Sequence, residues 1–283
     1  MEIQNYLKDR YKVIQNIGKG GMGSVYKVKG IEDGNYYAAK IIYHNDICSG
    51  EKEAQILLGL HHHMLPEIKE YFVFDEITVI IMDFINGCNM DEYIKKRGPV
   101  NNPKAVFFLR QMSDILMYLH DQRPPVIYRD LKPSNIMVDI NENLRLIDFG
   151  TARGYRMESD NDTVALGTPG YAAPEQLMGT SQSDIRTDIY SLGATMYYIV
   201  TGIDAGKPPF ELPPVNSVRT GIEPWLEQII KRCLQKNPDS RYQSVNELLS
   251  ELDYGEFQPY NIKYKNFNPI NIVITHSNRN ISL

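Results

Sequence analysis

Cysteine is scarce in this sequence, with only Cys48, Cys88 and Cys233 among 283 residues. Three thiols this far apart do not suit the disulfide framework of a small secreted protein, and no pair of them has the spacing of a zinc knuckle. We therefore expect reduced thiols and a cytoplasmic location.

Long apolar runs are also missing. No segment approaches the roughly 20 apolar residues that a membrane-spanning helix requires. Residues 1–5 lack the basic stretch, followed by an apolar stretch, that marks a signal peptide. The sequence therefore predicts no membrane segment and no signal peptide in this chain.

A surplus of basic residues is absent as well. The formal net charge is −5, so no overall positive field attracts the protein to nucleic acid or to anionic lipid. Its apolar fraction of 42% is that of an ordinary globular protein. The length allows one large domain or two lobes with cores of their own, and we expect no nucleic-acid partner.

Polar residues concentrate in one short segment with apolar residues on both sides, residues 126–138. Asp130, Lys132 and Asn135 lie close together there, and Pro133 restricts the backbone between them. A carboxylate that accepts a hydroxyl proton, an ammonium that meets a phosphate oxygen and an amide oxygen that binds Mg²⁺ suit phosphoryl transfer. A purely structural loop would also fit these residues taken alone.

A glycine-rich turn is predicted between two strands within residues 11–29. It contains Gly18, Gly20, Gly21 and Gly23. Glycines lack Cβ atoms and let backbone N–H groups approach phosphate oxygens. A flexible hairpin and a dinucleotide-binding turn have similar spacing, but the latter requires a helix directly after the third glycine. The residues that follow are instead typical of a strand.

A third predicted strand, 36–43, contains Lys40 between small and aliphatic residues. Such a lysine is costly to bury unless it meets an anion, although a lysine at a strand edge is the more common case. In the helix pattern 51–60, Glu53 can face Lys40, whereas Glu51 lies on another face. Lys40 would then bind nucleotide phosphates while Glu53 orients it.

Three consecutive histidines, His61, His62 and His63, follow that helix pattern. Adjacent histidines do not all point the same way, and no cysteine or acidic residue lies nearby at a metal-ligand spacing. We interpret them as a solvent-exposed loop, with metal binding as the alternative.

Two more strands are predicted at 67–74 and 77–84, and a turn signal at 86–87 follows them. We interpret this turn as the hinge between two lobes, because helical patterns dominate the rest of the chain. Backbone amide and carbonyl groups of Asp83 and Ile85 would pair there with the edge of an adenine.

Apolar periodicity and capping residues predict the helices of the second lobe. Asn89 with Glu92 resembles a capping box, and Asn102-Pro103 marks the start of a longer helix that ends near His120. Further helices are predicted at 188–200, 224–234 and 245–252. The helix 188–200 is apolar on nearly all sides and is therefore expected to be central, and Asp188 in its first turn is expected to cap amides of segment 126–138.

A strand at 144–147 leads into the triplet Asp-Phe-Gly at 148–150. An acidic residue at a strand end, before a glycine that permits unusual dihedrals, suits a metal ligand on a movable segment. An ordinary aspartate between strand and turn would look the same. Polar, aperiodic residues at 151–166 predict a mobile loop, and the sequence Ala-Pro-Glu follows at 173–175.

Taken in order, these segments resemble the eukaryotic-like (Hanks-type) protein serine/threonine kinase family, and most closely its bacterial members, over residues 11–253. The resemblance implies an α+β, two-lobed protein kinase fold. It assigns residues 1–85 to a small lobe with an antiparallel sheet and one main helix, and residues 86–255 to a larger, mostly helical lobe. Residues 256–283 form a C-terminal tail.

The resemblance also implies a role for each motif. Asp130 is the implied catalytic base, Lys132 offsets charge on the transferred phosphoryl group, and Lys40 and Glu53 form the family's ion pair. The implied metal ligands for Mg²⁺, or alternatively Mn²⁺, are Asn135 and Asp148. The implied ATP-binding residues are Ile17, Gly18, Lys19, Gly20, Gly21, Met22, Gly23, Ser24, Val25, Ala38, Lys40, Met82, Asp83, Ile85 and Met137. Among them, Val25, Ala38 and Met137 sandwich the adenine, and Met82 is the gatekeeper.

Activation is also implied by the resemblance. Arg129 beside Asp130 calls for an anion, and family members supply one by phosphorylating their activation segment. The candidate acceptors, in order of preference, are Thr163, Thr151, Ser159 and Thr168. Arg241 is the implied partner of Glu175 at the end of that segment.

Two departures from the family pattern matter. Tyr128 occupies the position where the family usually has histidine, and we expect little catalytic cost. Residues 210–223 are short and contain Pro213-Pro214, so the helix that helps family members dock substrates is predicted to be curtailed.

The resemblance implies a protein serine/threonine kinase that transfers the γ-phosphoryl group of ATP to hydroxyls of protein substrates and phosphorylates its own activation segment. A pseudokinase-type binding scaffold is one alternative, although every catalytic position holds a competent residue. A small-molecule phosphotransferase of related fold is the other, although such enzymes usually lack the long segment 148–175.

Overall fold

The computed structural model describes residues 6–7, 9–20, 23–44, 50–154, 167–178, 182–210 and 212–257. They form the predicted α+β, two-lobed fold, in which an antiparallel sheet precedes a mostly helical lobe. Within these residues, no helix combines the length and the apolarity that crossing a bilayer requires.

Five antiparallel strands build the first lobe in the spatial order β1-β2-β3-β5-β4. The strands are β1 (Tyr11–Gly20), β2 (Gly23–Gly30), β3 (Tyr36–Tyr43), β4 (Ile68–Val73) and β5 (Ile77–Asp83). Helix α1 (Gly50–Leu58) lies between β3 and β4 in the chain. Alternation along β3 places Ala39 and Ile41 in one buried cluster and Ala38 and Ile42 in another. Lys40 therefore shares the face of Ala38 and Ile42, against which α1 packs.

The second lobe is built mainly of helices. It contains β6 (Gly87–Asn89), α2 (Met90–Arg97), α3 (Asn102–His120), β7 (Val126–Ile127), β8 (Ile136–Asp139), β9 (Leu144–Leu146) and β10 (Arg153–Gly154). It continues with α4 (Pro174–Met178), α5 (Ile185–Thr201), α6 (Val215–Val218), α7 (Pro224–Cys233) and α8 (Val245–Phe257). The single turn of α6 agrees with the curtailed helix predicted for this region.

Helix α5 is the centre of this lobe, as its apolar sequence predicts. Its residues from Thr187 to Val200 are buried, with the exception of Tyr190. The helix begins three residues earlier than predicted, because Asp184 caps it by accepting a hydrogen bond from the amide of Arg186, and Thr187 completes a capping box.

Two other helix ends differ from the prediction. The side chain of Asn101, not Asn102, caps α3 by accepting a hydrogen bond from the Lys104 amide at 3.1 Å. Helix α8 continues to Phe257, five residues beyond the predicted end. Asn89 caps α2 as predicted, by accepting from the Glu92 amide at 2.8 Å.

The main buried core extends across the boundary between the lobes. It contains apolar residues of α3, α5, α7 and α8, and it also contains Leu57, Leu60, Met64 and Leu65 from the end of α1 and the following loop. The loop is therefore packed as part of the helical lobe, although it connects elements of the sheet lobe.

Candidate active site

Helix α5 positions the segment that follows β7. The carboxylate of Asp188 is fully buried and accepts hydrogen bonds from the amides of Tyr128 at 2.9 Å and Arg129 at 2.8 Å. His120 Nε2 lies 2.9 Å from the same carboxylate. These bonds confirm the predicted capping by Asp188 and attach the catalytic segment to the most buried helix of the lobe.

The Asp130 carboxylate is the centre of a hydrogen-bond network. Asp130 Oδ2 accepts from Lys132 Nζ at 2.7 Å and from Asn135 Nδ2 at 2.9 Å. Asp130 Oδ1 accepts from Thr168 Oγ1 at 3.0 Å, and that oxygen in turn accepts from Lys132 Nζ at 2.7 Å. The structure thus brings together the three residues of this segment that the sequence singles out.

The sequence analysis named Thr168 as a candidate phosphate acceptor but did not include it among the site residues. Its hydroxyl contacts both Asp130 and Lys132. Its position shortly before the Ala-Pro-Glu sequence could have indicated this role. The structure brings that segment back over Asp130 and Lys132.

A second network joins β3, α1 and the Asp-Phe-Gly triplet. Lys40 Nζ donates to both carboxylate oxygens of Glu53, at 2.6 and 2.8 Å, and to Asp148 Oδ1 at 2.8 Å. Glu53 Oε1 also accepts from the Phe149 amide at 3.1 Å. The predicted Lys40–Glu53 partnership is therefore present, whereas Glu51 hydrogen-bonds with Gln55 on the exposed side of α1.

Lys40 and Asp148 stabilise each other's charged forms, whereas burial outweighs the nearby Lys40 at Glu53 and raises the pKa of that carboxyl. Desolvation opposes the charged form of the Lys40 ammonium, but the two carboxylates outweigh it and raise the pKa of Lys40. Desolvation also opposes ionisation of Asp148, and the neighbouring Lys40 outweighs it, so the pKa of this carboxyl is lowered. Lys40 and Asp148 are consequently both charged near neutral pH.

The backbone has a positive φ angle at one residue in segment 126–138 and at one in the Asp-Phe-Gly triplet. Arg129 has φ 72° and Asp148 has φ 69°, both in the left-handed region that non-glycine residues seldom occupy. Such strain tends to persist where the surroundings determine the conformation fully. Here two hydrogen bonds hold these conformations. The Arg129 amide donates to Asp188, and Lys40 donates to Asp148.

Tyr128 connects these two segments. Its hydroxyl donates to the carbonyl oxygen of Ile147, directly before Asp148, and its ring packs edge-on against Phe149 with centroids 5.0 Å apart. Burial, followed by the charges of nearby carboxylates, raises the pKa of Tyr128 well above its usual value. The phenol therefore remains a hydrogen-bond donor throughout the ordinary pH range.

The residues predicted to bind nucleotide lie on neighbouring strands. Val25 pairs with Lys40 across β2 and β3, and Ala38 pairs with Met82 across β3 and β5. Directly opposed residues share one face of a sheet, so these four side chains line the same face. Met137 lies on β8 in the other lobe, and Ile17 is half-exposed on β1.

The glycine segment forms the connection between β1 and β2. Within it, Gly18 lies opposite Val25, Lys19 opposite Ser24 and Gly20 opposite Gly23, whereas Gly21 and Met22 lie outside the described residues. A Cβ atom at Gly23 would lie 1.8 Å from the carbonyl oxygen of Ile41. Only glycine fits this close approach of β2 to β3.

One predicted adenine contact requires correction. The amide of Asp83 donates to the carbonyl oxygen of Glu67 at 3.0 Å, and the Asp83 carboxylate accepts from the Glu67 amide at 3.1 Å. The Asp83 amide is therefore occupied by the residue that precedes β4. The proposal for this hinge position is accordingly limited to the Asp83 carbonyl and the backbone of Ile85.

The end of the predicted activation segment is held by a buried ion pair. Arg241 donates to Glu175 through two parallel hydrogen bonds of 2.7 and 2.8 Å. Both side chains are almost completely buried. The predicted pairing of Arg241 with Glu175 is confirmed.

Comparison with known proteins agrees with this arrangement. The protein kinase domain model matches residues 11–252. The chain belongs to the protein kinase domain family. The match covers both lobes and all the site residues described above.

Relatives of this kinase domain occur among bacterial enzymes. A probable serine/threonine-protein kinase of Clostridium acetobutylicum is 29% identical over 269 residues, which cover 88% of this chain and 40% of that protein. The serine/threonine-protein kinase PknB of Mycolicibacterium smegmatis is 27% identical over 281 residues, which cover 89% of this chain and 44% of that protein. The predicted membership of the bacterial Hanks-type branch is confirmed, and the chain spans less than half the length of these relatives.

Removing the Tyr128 hydroxyl is expected to weaken the connection between the catalytic segments. In a Tyr128→Phe kinase domain, the Ile147 carbonyl loses its donor, and we expect the free energy of unfolding to fall by about 1–3 kcal/mol. Urea denaturation measures this change. The matched variant Tyr43→Phe removes a hydroxyl from a half-exposed side chain and should change stability little, so equal losses in the two variants would contradict the assigned role.

Proposed function

We propose that this kinase domain transfers the γ-phosphoryl group of ATP to serine and threonine hydroxyls of proteins. The observation that carries the proposal is the contact of Asp130 with a hydroxyl, that of Thr168, while Lys132 donates to both groups. A carboxylate in hydrogen-bond reach of a hydroxyl can orient it and receive its proton. The names of the bacterial relatives support the same activity.

The proposed metal ligands fit a hard divalent cation. Asn135 Nδ2 donates to the Asp130 carbonyl and carboxylate at 3.0 and 2.9 Å, which leaves the Asn135 amide oxygen to bind a cation. Asp148 offers a charged carboxylate. Oxygen ligands of this kind suit Mg²⁺ or Mn²⁺. Such an ion, bound with ATP, would neutralise charge on the phosphates.

The remaining residues act by position and charge. Lys40, held by Glu53, offers its ammonium to the α- and β-phosphates. Lys132 offsets charge on the γ-phosphoryl group, while Asp130 orients the acceptor hydroxyl and takes its proton late in the transfer. Little covalent chemistry falls to the protein, so preorganisation of these groups accounts for most of the proposed rate enhancement.

The alternative of a small-molecule acceptor is less well supported. Residues 167–178 form an ordered platform beside Asp130, and the buried Glu175–Arg241 pair anchors it to the helical lobe. A small acceptor needs no such platform, whereas an extended peptide needs a surface on which to lie. The platform therefore favours protein substrates.

A substrate panel tests this proposal. The purified chain would be incubated with labelled ATP and Mg²⁺ together with casein, myelin basic protein, an aminoglycoside or choline. We expect label on serine and threonine of the proteins and none on the small molecules. Transfer to the small molecules would support the phosphotransferase alternative, and ATP binding without any transfer would support the scaffold alternative.

We propose Thr163 as the main site of self-phosphorylation, with Thr151 and Ser159 as further sites. Thr163 and Ser159 lie outside the described residues. Thr168 ranks last among the candidates, because a phosphate on its hydroxyl would place like charges beside the Asp130 carboxylate. Mass-spectrometric mapping should find phospho-Thr163, and full activity in protein without it would contradict this assignment.

A further inference from the structure

The three consecutive histidines are the one motif of the sequence that the proposed activity leaves without a role. Their interpretation as a solvent-exposed loop is wrong for His62, whose side chain is only 13% exposed. Its ring packs against that of Tyr118 on α3, with centroids 4.8 Å apart and planes inclined by 32°. The His62 side chain therefore points from its loop towards α3 and packs against it.

An acidic residue that is distant in the sequence completes the cluster. Asp114 lies on α3, one turn before Tyr118, and its Oδ2 is 3.3 Å from His62 Nε2. The ring of His63 lies 4.4 Å from that of His62, centroid to centroid. The ligand atoms of His62, His63 and Asp114 all lie within 4.8 Å of one another.

These distances suit a tetrahedral metal ion. Bonds of about 2.0–2.1 Å from zinc to imidazole nitrogen and carboxylate oxygen place neighbouring ligand atoms about 3.3 Å apart in a tetrahedron. The His62–Asp114 distance already has this value. Small rotations of His63, which is exposed, would bring the third ligand to the same separation.

We propose that His62, His63 and Asp114 bind one divalent transition-metal ion of the zinc type, with water as the fourth ligand. Two imidazoles and one carboxylate form a ligand set that zinc accepts. The site connects the loop after α1 with α3. It shares no residue with the Asn135 and Asp148 oxygens proposed for Mg²⁺, and its nitrogen ligands select a softer ion.

The backbone around the cluster is held in place independently of any ion. The His61 amide donates to the Tyr118 hydroxyl at 2.6 Å, and the Leu146 amide donates to the Met64 carbonyl at 2.8 Å. Met64 is also buried in the main core. A site on a backbone fixed in this way pays little ordering entropy when the ion binds.

Metal binding has one identifiable local cost. The Met64 amide donates to His62 Nδ1 at 3.3 Å, so the ring proton lies on Nε2, where it faces Asp114. Coordination through Nε2 moves this proton to Nδ1, which can then no longer accept the hydrogen bond from the Met64 amide. That bond is long, and the metal–nitrogen and metal–oxygen bonds that replace these contacts are much stronger.

Calorimetric titration with Zn²⁺ tests the site in the full chain, prepared without a histidine tag. We expect one ion per chain. His63→Ala and Asp114→Asn should each weaken binding at least about tenfold, since loss of even an outer-shell partner has an effect of that size. The matched variant His61→Ala removes the neighbouring histidine outside the cluster and should retain the affinity of the unchanged chain.

Two further measurements separate a metal site from a simple hydrogen bond between His62 and Asp114. Zn²⁺ should raise the unfolding temperature of the unchanged chain and of His61→Ala, but not of His63→Ala or Asp114→Asn. Co²⁺ in place of Zn²⁺ should produce the visible absorption bands of a tetrahedral complex. Absence of binding, or equal affinity in His61→Ala and His63→Ala, would overturn the proposal and leave His62–Asp114 as a hydrogen bond between loop and helix.

Discussion

The Asp130→Asn kinase domain is expected to transfer phosphoryl groups roughly 10²–10⁴-fold more slowly than the unchanged protein, the usual contribution of a general base. Asparagine has nearly the same shape, and its single amide oxygen can still accept from either Lys132 or Thr168, which contact different oxygens of Asp130. It cannot receive the proton of an acceptor hydroxyl, and it removes the charge that faces Lys132. We therefore expect kcat to fall while the affinity for ATP changes little.

The measurement is the steady-state rate of phosphate incorporation into a protein substrate, with ATP affinity determined separately. Asp253→Asn is the matched control, because Asp253 is a half-exposed carboxylate on α8 that pairs with Arg110 and contacts none of the site residues described above. Its rate should equal that of the unchanged protein. An Asp130→Asn protein that retains its rate would exclude Asp130 as the base.

Arg241→Ala is expected to reduce the free energy of unfolding by about 3–5 kcal/mol, the usual effect of removing one partner of a buried ion pair. The Arg241 guanidinium is completely buried and donates to both oxygens of Glu175 and to the carbonyls of Gln235, Lys236 and Arg186. Without it, the Glu175 carboxylate stays buried and retains only the Thr187 hydroxyl as a described donor.

Chemical denaturation measures this loss, and Arg110→Ala provides the comparison. Arg110 also contacts two carboxylates, Asp253 and Glu256, but its side chain is 41% exposed. Exposed pairs of this kind contribute at most about 1 kcal/mol. If both variants lost the same stability, burial would not be the reason that the Arg241 pair matters.

The periodic and spacing signals of the sequence predicted much of this fold. The bounds of β3 are those predicted, and alternation along it is what directs Lys40 to α1. Asp188 could also be predicted to cap the catalytic segment, because a carboxylate in the first turn of a buried helix needs donors. In both cases a pattern within a few neighbouring residues was enough to predict the contact.

Other features depended on contacts that no local pattern contains. Asn101 and Asn102 are chemically identical candidates for the cap of α3, and only the backbone geometry distinguishes them. The bond between the Asp83 amide and Glu67 follows from how β4 approaches β5. Asp114 is far from the histidines in the chain, so its position beside His62 follows only from the packing of the loop on α3.

The loop between α1 and β4 has a mechanical consequence. Leu60, Met64 and Leu65 belong to the core of the helical lobe, and the Leu146 amide donates to the Met64 carbonyl. A chain divided at the proposed lobe boundary near residue 85 would leave an apolar hole in the larger part. The two lobes are thus not independent modules, because part of the core of the larger lobe comes from the chain before residue 85.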